Sequence, residues 1–296
     1  MIQCNAIGNE NNALIAGGME SMSNIPHYLP SSRSGTNLGH TQLLDGVIYD
    51  GLWDVYNNQH MGLCAEKCAS DYNISREEQD AYALESYSRA QKSISDGDFN
   101  DEIEPVEVRQ KRERTIIKTD EEPLSVDFDR IPTLRPAFTS HDGTVTAANA
   151  SSLNDGAAAM VIMSEEAALR LGLRPLARIL GYGDAAQDPV DFTTTPSLAV
   201  PVALKNAGLA MEDIEYHEIN EAFSVVVSYN RLFSIHSMIT ILIIVFFALG
   251  NRKYEITQFR SLQSQCFWWS CVTRTPHRHV WSQDSGYFIQ CFKEKR

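Results

Sequence analysis

Gly143-Thr144-Val145-Thr146-Ala147-Ala148-Asn149-Ala150-Ser151-Ser152-Leu153-Asn154-Asp155-Gly156-Ala157-Ala158 carries more architectural information than any other run in this chain. Its β-branched opening, Thr144-Val145-Thr146, predicts the start of a strand. Small residues follow at 147–151. Asn154-Asp155-Gly156 then predicts a turn, and residues 157–163 a buried strand. Ser164 stands where a helix cap is needed, and Glu165 and Glu166 fall in the first turn, where the helix dipole favours negative charge. That helix is expected to reach about Gly172. Further on, residues 176–181 predict a strand and 195–207 a helix that stops at Gly208. Residues 214–218 predict a strand that delivers Asn220-Glu221-Ala222-Phe223 at its end. Strands alternating with helices argue for an α/β fold with layered sheets.

Upstream of this run, residues 13–16 read as a short buried strand that ends at Gly17-Gly18 in a tight turn or a close backbone approach. Residues 23–54 are loop-like, with Pro26, Pro30, Gly39 and Gly46. Cys64, Ala65, Cys68, Ala69 and Tyr72 lie at helical spacing. The clearest helix signal covers 73–96. Ser75 and Glu78 form a capping-box pattern, Ala83, Tyr87, Ala90 and Ile94 share one face, and Gly97 follows as a stop. Residues 103–118 alternate like two strands around a charged turn at 110–114. There is no internal repeat.

The 296 residues carry a net charge of -13 and are 43% hydrophobic. That is enough apolar material for a core, and the acidity weighs against nucleic acid as a partner. The charge is uneven: residues 228–296 sum to +6 and the remainder to -19, which suggests segments of different origin. The six cysteines (Cys4, Cys64, Cys68, Cys266, Cys271 and Cys291) follow no secretory signal, so a reducing compartment is expected rather than a disulfide framework. Cys64 and Cys68 have no second Cys or His pair nearby, so buried small residues on one helix face are expected, not zinc. Residues 232–249 are strongly apolar but interrupted by Ser234, His236 and Ser237, at the lower limit of a membrane span.

Four strings in order carry a resemblance. They are Gly17-Gly18-Met19-Glu20-Ser21-Met22, His60-Met61-Gly62-x-Cys64-Ala65-Glu66, the 143–158 run, and Asn220-Glu221-Ala222-Phe223. Together they resemble the thiolase family over residues 13–227, in its acetoacetyl-CoA type. The resemblance implies a thiolase fold of two similar layered α/β halves, both incomplete here. The first half would span 1–174 with a loop domain inserted at about 21–138, the second would begin at 175–227, and 228–296 would be a tail outside the family.

The resemblance also implies a chemistry and a set of site residues. A cysteine thiolate takes the acyl group, a histidine activates it, a second cysteine moves the α-proton, and oxyanion holes stabilise the thioester oxygens. Asn220 matches the asparagine that positions an oxyanion-hole water; the alternative is a plain helix cap. His60 and Phe223 match pocket-lining positions. Ser125, Val126, Asp127 and Arg130 match the stretch contacting the coenzyme A nucleotide, and Ser151 a pantetheine contact. Tyr87, Ala147, Ala148 and Ala150 match a potassium site, with Tyr87 also facing substrate. The implied ligands are acetyl-CoA, acetoacetyl-CoA and K+, with no covalent cofactor. The implied protein partner is a second copy of the chain, in a dimer or tetramer, and the compartment is mitochondrial or cytoplasmic.

The family's nucleophile sits in a Cys-x-Ser-Gly string that would fall before Met1, and Cys4 has no Ser-Gly after it. Beyond Val227 the glycines are Gly250 and Gly286, so the Gly-His-Pro and Cys-x-Gly-Gly-Gly strings are not there. Truncation at both ends of the family domain is therefore expected, with the chain inactive as written. Two other readings stand beside the enzyme: a coenzyme A-binding or subunit-binding fragment, and a tail-anchored membrane protein. A ketoacyl synthase is disfavoured by the 220–223 string. Poor folding with exposed strand edges and apolar faces is also expected.

Overall fold

The structure is a computed structural model that describes residues 13–110, 113–214 and 216–233. Cys4, Cys266, Cys271, Cys291 and most of the 232–249 apolar run lie outside those residues.

In chain order the elements are β1 (Ala13–Ser21), β2 (His27–Tyr28), β3 (Leu44–Asp45), β4 (Trp53–Asp54), β5 (Gln59–His60), α1 (Met61–Asp71) and α2 (Arg76–Asp96). The hairpin strands β6 (Val106–Gln110) and β7 (Glu113–Ile117), the short helix α3 (Glu122–Ser125) and a 3-10 turn (Phe128–Thr133) follow. The order closes with β8 (Asp155–Met163), α4 (Glu165–Arg170), α5 (Pro196–Ala207) and α6 (Ser224–Phe233). The described strands form two-stranded sheets: β1 with β8, β2 with β3, β4 with β5, and β6 with β7.

The core sits where α1, α2, the 144–146 segment and α6 meet. Ala65, Cys68, Ala69, Ile74, Tyr82, Val145, Ile219, Phe223 and Val225-Val226-Val227 form one buried cluster. Three successive valines are poor helix formers, and packing outweighs that preference here. Helix α6 runs without a break across Val227–Ser228, and Tyr229 and Asn230 beyond that point are also buried.

Helix α2 forms for the reasons its sequence supplies. Ser75 accepts from the Glu78 amide, Glu78 returns the bond to the Ser75 amide, and Gly97 ends the helix at φ 77°. Ser164 caps α4 by accepting from the Ala167 amide, as expected.

The strands differ more from expectation. At Gly17-Gly18 the close backbone approach holds and the turn does not: β1 runs straight through, antiparallel to β8, with Ile15 opposite Val161 and Gly17 opposite Ala159. A Cβ on Gly17 would lie 2.8 Å from the Ala158 carbonyl oxygen, so the ladder's close approach requires glycine there. Asp155 and Gly156 are likewise inside β8, paired with Ser21 and Glu20. Neither strand is buried on both faces, since Ile15 and Met19 of β1 are 75% and 74% exposed and Val161 of β8 is 52% exposed. Residues 144–146 are not a strand, because side chains rather than a neighbouring strand take up their amides. Residues 176–181 and 214–218 form no named strand among the described residues.

Candidate functional site

One carboxylate organises the opening of the 143–158 run. Glu66, on α1, accepts from the Thr144 amide at 2.9 Å and 3.0 Å, from the Thr144 hydroxyl at 2.8 Å and from the Val145 amide at 2.9 Å. Charge-assisted bonds of this kind are about twice as strong as neutral ones. The next clamp is Asn149, 2% exposed. Its Oδ1 accepts from the Thr146 amide at 2.8 Å, and its Nδ2 donates to Asp80 Oδ1 and to the Thr144 carbonyl, both at 2.9 Å. The tight turn at 147–149 therefore has its shape fixed from inside.

That turn is stitched directly to the 220–223 string. The Ser224 amide donates to the Asn149 carbonyl at 2.8 Å, and the Ser151 amide to the Ala222 carbonyl at 3.0 Å. Ala150 and Phe223 form an antiparallel bridge. Phe223 meets Phe138 at 6.3 Å between ring centroids, and Phe138 meets His60 at 4.7 Å. His60, Phe223, Ala150 and Ser151 are thus brought into one neighbourhood from three distant stretches of chain. His60 also caps α1, its Nδ1 accepting from the Gly62 amide at 2.9 Å. That bond leaves the proton of the neutral ring on Nε2, and burial lowers the ring's pKa, which favours the neutral form.

Asn220 is exposed. Helix α6 begins at Ser224, so Asn220 is not its N-cap and the capping alternative does not hold. Ser125, Asp127 and Arg130 are exposed on the α3 and 3-10 segment, and Val126 is half-buried. Asp127 caps the 3-10 turn by accepting from the Asp129 amide. These four residues lie together, on a different surface element from the Ala150–Phe223 junction.

A cavity of about 20 Å³, room for one water-sized guest, lies beside the junction and is lined by Tyr87, Glu122, Ala148, Ala150, Ser151 and Glu221, among others. Tyr87 donates to Glu122 Oε1 at 2.9 Å, and Ser152 donates to Glu122 Oε2. On the other wall, Tyr82 donates to Glu221 Oε1 and Ser86 to Glu221 Oε2. Burial, then the Glu122 charge, hold the Tyr87 hydroxyl well above the ordinary tyrosine range, so it stays a neutral phenol. Of the four residues of the expected potassium site, Tyr87, Ala148 and Ala150 line the cavity; Ala147 does not, and is exposed.

Glu66, Glu122 and Glu221 escaped the sequence reading as site residues. Glu66 and Glu221 lie within the 60–66 and 220–223 strings, where nothing local marks either as a hydrogen-bond hub. Nothing local marks Glu122. No cluster of three or more His, Cys, Asp or Glu able to hold a metal ion occurs among the described residues. The two described cysteines are buried on α1. Burial, then the Asp54 charge, push the Cys64 thiol up to about 11, and burial also raises Cys68. Neither is a thiolate at neutral pH. No described helix is long and apolar enough to cross a membrane.

The family model "Thiolase, N-terminal domain" matches residues 2–166, and "Thiolase, C-terminal domain" matches 173–238. Acetyl-CoA acetyltransferase 1 of Arabidopsis thaliana is 53% identical over 223 residues, covering 75% of this chain and 54% of that protein. The mitochondrial acetyl-CoA acetyltransferase of Mus musculus is 53% identical over 218 residues, covering 73% and 51%. A thiolase from Ascaris suum, solved in complex with coenzyme A, superposes with a TM-score of 0.68 at 44% identity and covers 74% of this chain and 56% of that one. The chain spans about half the length of the curated relatives it matches.

Proposed function

Given that this chain belongs to the thiolase family, we propose that it serves acyl transfer between acetyl-CoA molecules, two acetyl-CoA giving acetoacetyl-CoA and coenzyme A, with thiolysis as the reverse. The observation that carries this reading is the junction of the 147–151 turn with Ala222-Phe223-Ser224, through two backbone hydrogen bonds and a bridge. It gathers residues that resemble the family's thioester pocket from both halves of the chain. In the reaction, a cysteine thiolate displaces coenzyme A from acetyl-CoA and becomes an acetyl thioester. A second acetyl-CoA then loses an α-proton to a base, and its carbanion takes the acetyl group and frees the thiolate. Asn220 holds the water that supports a thioester oxygen, His60 and Phe223 line the acyl pocket, Ser151 contacts pantetheine, and Ser125, Val126, Asp127 and Arg130 meet the nucleotide. Arg130 suits a phosphate because its guanidinium offers paired donors.

Potassium belongs to the same proposal. Tyr87, Glu122 and Glu221 give the cavity an oxygen-rich lining, which suits a hard cation rather than one that prefers thiolate or imidazole. Bound there, K+ would hold the 147–151 turn against α2. Homo-oligomerisation and a mitochondrial or cytoplasmic location are further parts of the reading, as is the division into a first half with its inserted loop and a second half.

One observation favours a second reading, a coenzyme A-binding or subunit-binding fragment without turnover: the described cysteines are buried thiols with raised pKa values. A single preparation decides. Titration with coenzyme A and an acetoacetyl-CoA thiolysis assay, each in K+ and in Na+, give three outcomes. Binding with turnover supports the enzyme. Binding without turnover supports the fragment. Absence of binding defeats both.

A further inference from the structure

Helix α2 carries a polar chain that the reaction itself does not require. Asp80 is 6% exposed, and its two oxygens face different partners. Oδ1 accepts from Asn149 Nδ2 at 2.9 Å, and Oδ2 pairs with Arg76 Nε at 2.6 Å. Arg76 then reaches across to the 3-10 turn, where one Nη donates to the Ile131 carbonyl at 3.2 Å and to the Leu134 carbonyl at 3.1 Å. Those carbonyls end the Phe128–Thr133 turn, which bears Arg130 on its exposed side. The Ile131 carbonyl also accepts from the Leu134 amide at 3.3 Å, so the guanidinium adds a second bond there and ties the Leu134 carbonyl to the same point. At the opposite end of the chain, the Asn149 carbonyl accepts from the Ser224 amide at 2.8 Å. Four links therefore join five members from the surface turn to Ser224, just after the 220–223 string: turn carbonyls, Arg76, Asp80, Asn149, Ser224.

We infer that Arg76, acting through Asp80, is a positioning residue that sets the spacing between the two ends of a bound coenzyme A thioester, its nucleotide on the 125–130 surface and its thioester beside the 147–151 turn. The inference rests on the function proposed above, because it takes the two surfaces to be the two ends of one ligand site. A planar guanidinium donating in two directions is suited to this, since it fixes an angle as well as a distance. The neighbouring charged groups do not substitute for it. Glu77 and Glu78, on the same helix, are exposed, and Glu66 is committed to Thr144 and Val145.

A spacing role has a signature that simple structural support lacks. A ligand made of two linked halves gains affinity when both subsites are held at the right separation, because the second half binds as an intramolecular event. Each half measured alone gains nothing from that separation. The experiment titrates the full chain with coenzyme A, with pantetheine and with 3′-phospho-ADP, in wild type, Arg76→Ala and Asp80→Asn. The expected result is that coenzyme A weakens about 10-fold in Arg76→Ala and less in Asp80→Asn, with both half-ligands unchanged. Asp80→Asn retains the side chain's size and an oxygen for Asn149, so it remains readable if Arg76→Ala does not fold by circular dichroism. Loss of the half-ligands in parallel with coenzyme A would mean ordinary structural support, and unchanged coenzyme A affinity would mean no role; either overturns the inference while the function reading stands. Failure of the wild type to bind coenzyme A removes both.

Discussion

At the scale of single residues, the site is held by half-buried carboxylates: Glu66 takes backbone amides, while Glu122 and Glu221 take side-chain hydroxyls. Glu66 is the clearest case, with three donors on Thr144 and Val145. Glu66→Gln keeps the shape but puts an NH2 where one acceptor stood. A cost of about 1.5–3 kcal/mol in stability is expected, read as a lower denaturant midpoint with unchanged slope; an unchanged midpoint would show that the clamp contributes nothing. Cys64 gives a second check. Its folded pKa of about 11 lies above the ordinary thiol value, so the thiol should resist alkylation at pH 8 until the chain is unfolded. Rapid labelling of the native chain would contradict the burial described. This is also the scale at which the sequence was least legible. His60, Ala148, Ala150 and Ser151 were visible because they stand in recognisable strings, and Tyr87 because it lies on the periodic face of a well-marked helix. Glu122 was not, because its place beside Tyr87 and Ser152 is made by tertiary contact alone.

At the scale of elements, what was readable was local. The Ser75–Glu78 capping box, the Gly97 stop, the Ser164 cap and the 106–117 hairpin follow from neighbouring residues, and the structure has them all. The strands were harder to read because a ladder is chosen at long range. Gly17-Gly18 reads equally as a turn or a close backbone approach until β8 is known to lie against it, and residues 144–146 look like a strand until Glu66 and Asn149 are known to take their amides. Two tests belong here. Ser75→Ala removes the cap acceptor and should cost about 1 kcal/mol, seen as a fall of several degrees in Tm. The second concerns the carboxyls flanking the hairpin. Burial, then the Asp120 charge, raise Glu102 to about 7 from its ordinary 4.5. A raised folded pKa means that the folded state favours the protonated form. That stabilisation is complete below about pH 4.5 and is lost as pH climbs through 7. Glu102→Gln should therefore raise Tm relative to wild type at pH 8 and not at pH 4.5. A gain independent of pH would show that the carboxyl does not titrate in this window.

At the scale of the molecule, a well-knit junction of α1, α2 and α6 adjoins a two-stranded ribbon with an open apolar face. Ile15, Met19 and Val161 are 75%, 74% and 52% exposed, and Ile15 lies directly opposite Val161. Exposed apolar ladders with unpaired edges associate. The 296-residue chain on its own should therefore show concentration-dependent association by sedimentation. The pair Ile15→Lys with Val161→Glu, opposite charges across the ladder, should reduce it. Equal association in that variant would place the sticky surface elsewhere. The central claim is that the junction and the 125–130 surface form a coenzyme A site, and calorimetric titration of the chain with coenzyme A, in wild type and in Arg130→Glu, tests it most directly. Arg130 is exposed, so reversing its charge should spare the fold. The account predicts saturable one-to-one binding by the wild type, weakened about tenfold or more by the reversal. Absence of binding by the wild type, or equal binding by both, would contradict it.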